Sequence, residues 1–191
     1  STDGEDLDKV MVIDSESSMT HAILNQNARV ECVWIQGNSR LSIEGDNFLE
    51  FDENFVLDGE IRLVGQSQII QTHTGASNVV GTGKIFRDQQ ATVPNVYRYH
   101  YWGSPVVETG LSTFRVGQIL KDGSIPTSAD GLATEARDIN FTGESYDGAF
   151  DPTNILPITI ANYWIYSYLN GTTRDDWVQQ KETGVLNKGQ G

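Results

Sequence analysis

The sequence predicts an all-β protein in which a short parallel β-solenoid precedes an antiparallel region built from hairpins or resembling a sandwich. Short apolar clusters recur from residue 10 to residue 70, and Gly, Asn, Asp or Ser stands at the breaks. Between residues 41 and 70 the cluster centres lie about seven residues apart, which is too close for ordinary helices. Three such steps give a coil of about 20 residues, within the range of solenoid repeats. We therefore expect a flexible lead-in over 1–9, a right-handed solenoid over 10–90 and the antiparallel region over 91–191.

Alternation inside the short clusters predicts which side chains face the solenoid interior. The inward positions are Leu41, Ile43, Phe55, Leu57, Ile61 and Leu63, and the outward ones include Ser42, Val56 and Arg62. An antiparallel meander is the alternative, but few breaks carry the two-residue Asn-Gly or Asp-Gly signal of a hairpin. Residues 81–84 (GTGK) lack the rest of a phosphate-binding loop and predict a glycine-rich corner, with 79–80 and 85–86 as a further coil.

The aromatic stretch 96–107 (VYRYHYWGSPVV) predicts a strand that ends at a bend. With a period of two, Tyr97, Tyr99 and Tyr101 share one face, and His100 and Trp102 lie on the other with Arg98. We expect this strand to form the seam at the end of the solenoid, with Trp102 as its buried anchor.

Three further signals follow in the second half of the chain. A strand is expected over 114–120, and a long alternating strand over 158–169, which we expect to be buried because both its faces are apolar or aromatic. Asn170-Gly171 predicts a tight hairpin turn, after which Trp177 begins the returning strand.

Composition limits the classes of partner. The 191 residues carry 13 Lys and Arg against 26 Asp and Glu, and 13 − 26 gives a net charge of −13. This excess repels nucleic acid and anionic lipid and suits an extracellular protein. No apolar run approaches the ~20 residues of a membrane helix, so membrane insertion is not expected.

The single Cys32 cannot form an internal disulfide and is expected to be a buried, inert thiol. The absence of an initiator Met and the ending in mid-pattern lead us to expect a piece of a longer protein.

A set of short motifs carries a resemblance to a known family. Residues 99–106 (YHYWGSPV) and 161–166 (ANYWIY) are followed by Trp177, Gly184 and 188–191 (KGQG). With the solenoid-like lead, this order over residues 30–191 resembles the large secreted surface proteins and adhesins of gliding Bacteroidota that the type IX system exports. The resemblance implies a cell-surface location, adhesion, and polysaccharides or other surface and secretion-machinery proteins as partners.

The residues offer little for catalysis or metal binding. His21, His73 and His100 lie far apart, and no nucleophile or zinc motif is present. Asp3, Asp6 and Asp8 suggest calcium but lack the EF-hand spacing, so no cofactor is expected. Acidic residues stand at successive corners of the predicted solenoid: Asp46, Asp52, Glu53 and Asp58. They leave a β-helix polysaccharide lyase or hydrolase as an alternative. The preference of turns for such residues, however, explains every one of these acids.

A carbohydrate-binding module is the other alternative. Its stacking platform would consist of aromatic side chains, which we assign to Tyr99, Trp102, Trp164 and Trp177, with Tyr97 and Tyr101 beside them. A strand with aromatic residues on both faces more often belongs to the core. An exposed Trp102 would favour the binding module, and a fully buried Trp102 would exclude it. The sequence as a whole predicts a non-catalytic, extracellular structural or adhesive segment of a larger secreted surface protein.

Overall fold

The computed structural model describes residues 5–15, 20–89, 98–108, 110–123, 136–143 and 157–190. The chain divides into two compact units. The described residues up to 89 belong to the first unit, and those from 98 onward belong to the second. The described residues of the first unit are mainly strands and turns, and those of the second unit form short strands joined by loops and helical turns.

The first unit contains ten strands. They are β1 (Glu5–Ile13), β2 (Thr20–Leu24), β3 (Ala28–Ile35), β4 (Ser39–Ile43), β5 (Phe48–Phe51), β6 (Phe55–Leu57), β7 (Glu60–Leu63), β8 (Gln68–Gln71), β9 (Val79–Val80) and β10 (Lys84–Arg87).

Every described pairing between these strands is parallel, which confirms the solenoid and excludes the meander. One sheet contains β1, β3, β5, β6, β8 and β9, and the other has the order β10-β7-β4-β2. The long β3 pairs with β5 through residues 28–30 and with β6 through residues 33–35, so the first sheet provides two sides of the coil. Paired residues are one coil apart, from 39 − 20 = 19 residues between Thr20 and Ser39 to 79 − 55 = 24 between Phe55 and Val79.

The interior of the solenoid is a stack of apolar rows. In one row Leu41 lies between Ala22 and Ile61, and in another Val33 pairs with Phe55. The six positions predicted to face inward are all buried, and together with neighbouring residues they form one core cluster. Each coil covers the apolar side chains of the next, so an isolated coil would expose its apolar side chains to water.

Glycines make one corner of the coil tight. A Cβ atom added to Gly59 would lie 2.3 Å from the carbonyl oxygen of Ser39, and one added to Gly83 would lie 2.1 Å from that of Gly59. At Gly81 the backbone has a φ of +119°, in the region that glycine favours. The glycine-rich corner predicted at 81–84 is therefore present, and β9 and β10 form the additional coil expected there.

Several side chains on the outside of the solenoid are not exposed. Ser42 and Arg62 face outward as predicted, yet both are buried. The guanidinium of Arg62 donates to Asp88 at 2.6 Å, and Arg40 donates to Glu60 on the neighbouring strand at 2.9 Å. Buried guanidinium groups need such partners because their charge is costly to desolvate.

The described part of the second unit has eight short strands and one α-helical turn, besides the 3-10 turns Asn162–Trp164 and Arg174–Asp176. They are β11 (Thr113–Arg115), α1 (Val116–Ile119), β12 (Lys121–Asp122), β13 (Arg137–Asp138), β14 (Asn140–Thr142), β15 (Thr159–Ala161), β16 (Tyr166–Tyr168), β17 (Trp177–Gln179) and β18 (Val185–Asn187).

These strands pair two by two. β11 with β18, β12 with β13 and β16 with β17 are antiparallel, as expected for this region. β14 and β15 are parallel, which departs from the expected antiparallel arrangement.

Three strand predictions in this unit were wrong. The expected strand over 114–120 turns into α1, where Leu120 donates its N–H to Val116 and Gly117 bonds to the carbonyl of Glu182. The expected strand over 158–169 is broken by a 3-10 turn, Asn162–Trp164, because Ile165 bonds back to Asn162. The part of the aromatic stretch that is described, 98–108, contains no strand; Tyr97 lies outside the described residues.

A small core and a buried ion pair hold the second unit together. Phe114 and Leu186 face each other across β11 and β18 and pack with Val116 and Ile165. Asp122 is almost fully buried, and its carboxylate accepts hydrogen bonds from Arg137 at 2.8 Å and from the backbone N–H of residue 158 at 3.1 Å. These bonds tie the β12–β13 pair to the segment that leads into β15.

Candidate functional site

The second unit carries a group of neighbouring aromatic rings, here called the aromatic cluster. Its members are Tyr99, Tyr163, Trp164, Tyr166, Tyr168 and Trp177. Trp177 contacts two of them: the ring centroids lie 5.6 Å from Tyr99, with 23° between the planes, and 4.8 Å from Tyr168. Tyr163 and Trp164 meet edge to face at 4.7 Å.

The β16–β17 hairpin places Tyr168 and Trp177 side by side. They are directly opposite in the antiparallel register, so both side chains project from the same face of the hairpin. Asn170 has a φ of +52°, and a Cβ atom added to the next residue, Gly171, would lie 2.5 Å from the ring of Tyr168. The tight hairpin turn predicted at Asn170-Gly171 was wrong, because the longer segment 169–176 connects β16 to β17. Within this segment, Gly171 makes room for the tyrosine ring.

A carboxylate fixes the second half of the same turn. Asp176 accepts backbone hydrogen bonds from Thr172 and Thr173, both at 2.7 Å, and a third from the Thr173 hydroxyl at 3.1 Å. These bonds hold the pKa of Asp176 below its ordinary 3.8, since they favour the charged form. The turn delivers the chain directly into β17, whose first residue is Trp177.

The 3-10 turn before β16 presents the other half of the cluster. Because the chain leaves the extended conformation there, Tyr163 and Trp164 do not alternate between two faces of one strand. Gln179 on β17 donates its side-chain amide to the carbonyl oxygen of Tyr163 at 2.9 Å, which ties this turn to the hairpin.

Tyr166 lies between these two groups of rings. Partial burial raises the pKa of its phenol above the ordinary 10.0, and the neighbouring phenol of Tyr163 adds to the effect, with a smaller contribution from Tyr99. The phenol therefore stays neutral at physiological pH and can both donate and accept a hydrogen bond.

Several of these rings are exposed, contrary to the expectation that they would be core, whereas Tyr166 and Trp177 are partly buried. Trp164 is 59% exposed, Tyr99 58% and Tyr163 53%. The predicted anchor Trp102 is only partly buried and stacks on His100 at 6.1 Å, while Tyr101 is 76% exposed. The alternation of apolar residues predicted burial, but the 3-10 turn and the irregular path of 98–108 turn these rings outward instead.

Of the four side chains assigned to stacking, the structure brings three into the aromatic cluster: Tyr99, Trp164 and Trp177. Trp102 is in contact with His100 and is not among the ring contacts of the cluster. Sequence reasoning missed Tyr163, Tyr166 and Tyr168 as members. The pairing of Tyr168 with Trp177 could not be predicted, because a two-residue turn at Asn170-Gly171 would set residue 169 opposite residue 172.

An arrangement of this kind suits flat, partly apolar ligands. Exposed aromatic faces stack against apolar surfaces, and phenol, indole and amide groups at their edges can hydrogen-bond to polar substituents. Sugar rings have this combination, with C–H groups on the ring faces and hydroxyls around the rim. The cluster therefore has the chemistry of a saccharide-binding surface.

The acids proposed for a hydrolase do not form a comparable site. Asp46 and Glu53 are exposed at turns, and Asp52 is partly buried at the corner after β5. Asp58 is exposed and accepts hydrogen bonds from the N–H and hydroxyl of Thr82, at 3.1 and 3.3 Å. That contact is a link between neighbouring corners, which is the structural role that turn preferences predict.

The thiol of Cys32 is not fully buried, contrary to expectation. Cys32 lies where β3 passes from its pairing with β5 to its pairing with β6, so its side chain does not enter the core. Its sulfur and one carboxylate oxygen each from Glu31 and Glu53 lie within 4.8 Å of one another. Of the acids that suggested calcium, Asp3 and the side chain of Asp6 lie outside the described residues, and Asp8 is exposed.

Comparison with known proteins assigns neither a family nor a function to this chain. No family model, no curated protein and no solved structure matches the chain. Within the described residues, no helix is both long and apolar enough to cross a membrane.

Proposed function

We propose that this chain is a non-catalytic adhesive segment of a larger secreted cell-surface protein, and that it adheres by stacking sugar rings on the aromatic cluster. The observation that carries the proposal is the exposure of Trp164 and Tyr99 beside the ordered contact of Tyr99 with Trp177. Large exposed apolar side chains gathered in one place commonly mark interaction surfaces.

The charge of the chain supports a neutral polysaccharide as the ligand. A net charge of −13 opposes binding to nucleic acid, to anionic lipid and to strongly acidic glycans. The extracellular location rests on the resemblance to secreted surface proteins, and the fold is compatible with it because a solenoid is an extended, repetitive support. Other surface or secretion-machinery proteins remain candidate partners under the same resemblance.

A depletion assay with insoluble neutral polysaccharides tests the proposal. The unmodified chain is expected to bind at least one of cellulose, chitin and mannan. Trp164→Ala or Tyr99→Ala should weaken binding roughly ten-fold, since truncating one aromatic contact at a binding surface costs about 1–2 kcal/mol. Val178→Ala is the matched control. Val178 is exposed on β17 next to Trp177 but projects from the other face, so its removal should leave binding unchanged. An affinity that neither aromatic substitution lowers would remove the basis of the proposal.

The non-catalytic part of the proposal has a separate test. Incubation with the same polysaccharides and with pectin should release no new reducing ends or unsaturated sugars. Turnover that Asp52→Asn abolishes would instead establish the lyase or hydrolase alternative.

A further inference from the structure

The solenoid has its own outward apolar row, on the side formed by β1, β3, β6 and β9. Val12 pairs with Trp34, Trp34 with Val56, and Val56 with Val80, so the four side chains stand in register across neighbouring strands. Parallel strands are about 4.8 Å apart, which makes the row a regular, flat ladder. Trp34 is 48% exposed, and Val12 and Val80 are exposed to a similar degree.

Polar side chains run alongside this row. Gln36 and Asp58 follow Trp34 and Val56 by two positions, at the glycine-rich corner, and both are exposed. A concavity of about 330 Å³ opens between the two rows, and it is lined by Trp34, Ile35, Gln36, Gly37, Val56 and Asp58. A Cβ atom added to Gly37 would meet nothing within 4 Å, so the rim of the concavity is open there.

The shape and lining fit a small ligand with one apolar face. The concavity is open on one side, so it would contact one face of a ligand unit and leave the other face in solvent. The indole of Trp34 offers a stacking face, the amide of Gln36 both donates and accepts, and the carboxylate of Asp58 accepts. One of the Asp58 oxygens already bonds to Thr82, which fixes the carboxylate in place.

We propose that this concavity is a second saccharide site, which takes a neutral sugar unit stacked on Trp34 with its hydroxyls bonded to Gln36 and Asp58. The carboxylate of Asp58 and the acidity of the chain disfavour an anionic sugar. The site lies wholly in the first unit and does not rest on the function proposed for the aromatic cluster.

The four tryptophans provide a direct test, because each gives one indole N–H signal in a ¹H–¹⁵N spectrum of the full chain. The probes are soluble hexasaccharides of glucose, mannose and galactose, with hexagalacturonate as the acidic comparison. At least one neutral probe should shift the Trp34 signal saturably, and hexagalacturonate should not. The signals of Trp164 and Trp177 report the aromatic cluster separately, so failure at either site is distinguishable from failure at the other.

Substitutions then test the named contacts. Gln36→Ala and Asp58→Asn should each weaken the interaction seen at Trp34 roughly 3- to 10-fold, the usual range for one hydrogen bond. Ile23→Ala is the control, since Ile23 is exposed on β2 in the other sheet. Asp58→Asn keeps an oxygen that can accept from Thr82, so the corner should remain folded. The proposal is overturned if no neutral probe shifts Trp34, if both substitutions leave its titration unchanged, or if the signal moves on dilution without sugar, which would indicate self-association.

Discussion

Gly59 shows how single residues set the shape of the solenoid. It is the last residue of the turn from β6 to β7, where the chain passes so close to the coil before it that no side chain fits. A Cβ atom there would press on two backbone carbonyl oxygens, those of Ser39 and Gln36, at 2.3 and 2.4 Å. Backbone atoms cannot rotate away as a side chain can, so the strain must be absorbed by the coil itself.

Gly59→Ala should therefore destabilise the first unit by about 1–3 kcal/mol, the usual cost of overpacking. Gly37→Ala is the matched control at the preceding corner, because its added Cβ meets nothing within 4 Å and its φ is not positive. That control should be neutral or stabilising by about 0.4–1 kcal/mol. Urea denaturation followed by circular dichroism measures both, and equal effects would contradict the close approach at this corner.

The β16–β17 hairpin is the element on which the aromatic cluster depends. Its turn is fixed by the hydrogen bonds to Asp176, and its register sets Tyr168 beside Trp177. Because the folded pKa of Asp176 lies below the unfolded value of 3.8, this carboxylate stabilises the hairpin at pH values above 3.8. The contribution is lost as the pH falls through the folded pKa.

We expect the hairpin to loosen on acidification below pH 3.8, with the ring signals of Tyr168 and Trp177 changing together with the Asp176 carboxyl. A ¹³C-detected NMR titration gives the pKa of Asp176 directly. In Asp176→Asn this acid-dependent change should disappear, because the substituted side chain no longer titrates. An Asp176 pKa at or above 3.8 would contradict the hydrogen bonding described here.

Some elements of the fold could be predicted from the sequence, and others could not. The parallel coils of the first unit could be predicted because their spacing and turn residues repeat, and stacking makes each position of a coil resemble the next. The return of the chain at Trp177 was also predicted, but the Asn170-Gly171 pair indicated a tight turn where the structure has the longer connection 169–176. The 3-10 turn at Asn162–Trp164 could not be predicted, because it depends on contacts made in the folded chain, such as the bond from Gln179 to Tyr163. The exposure of Trp164 follows from that turn, and so the sequence predicted burial where the structure has a surface.

For the whole molecule, the two proposals together give one saccharide contact in each unit. Each unit carries an exposed tryptophan with polar groups nearby: Trp34 in the first unit and Trp164 in the second. If both sites take sugars from one polysaccharide, binding at the first raises the effective concentration of ligand at the second. Weak individual sites are then sufficient for firm adhesion.

The most direct test of this account is the detection of nuclear Overhauser effects between a bound neutral oligosaccharide and the rings of the aromatic cluster. We predict effects from the ring C–H protons of the sugar to Trp164 and Tyr99, with their loss in Trp164→Ala and their retention in Val178→Ala. An oligosaccharide that binds the second unit with its contacts elsewhere, or no neutral oligosaccharide that contacts these rings, would contradict the account.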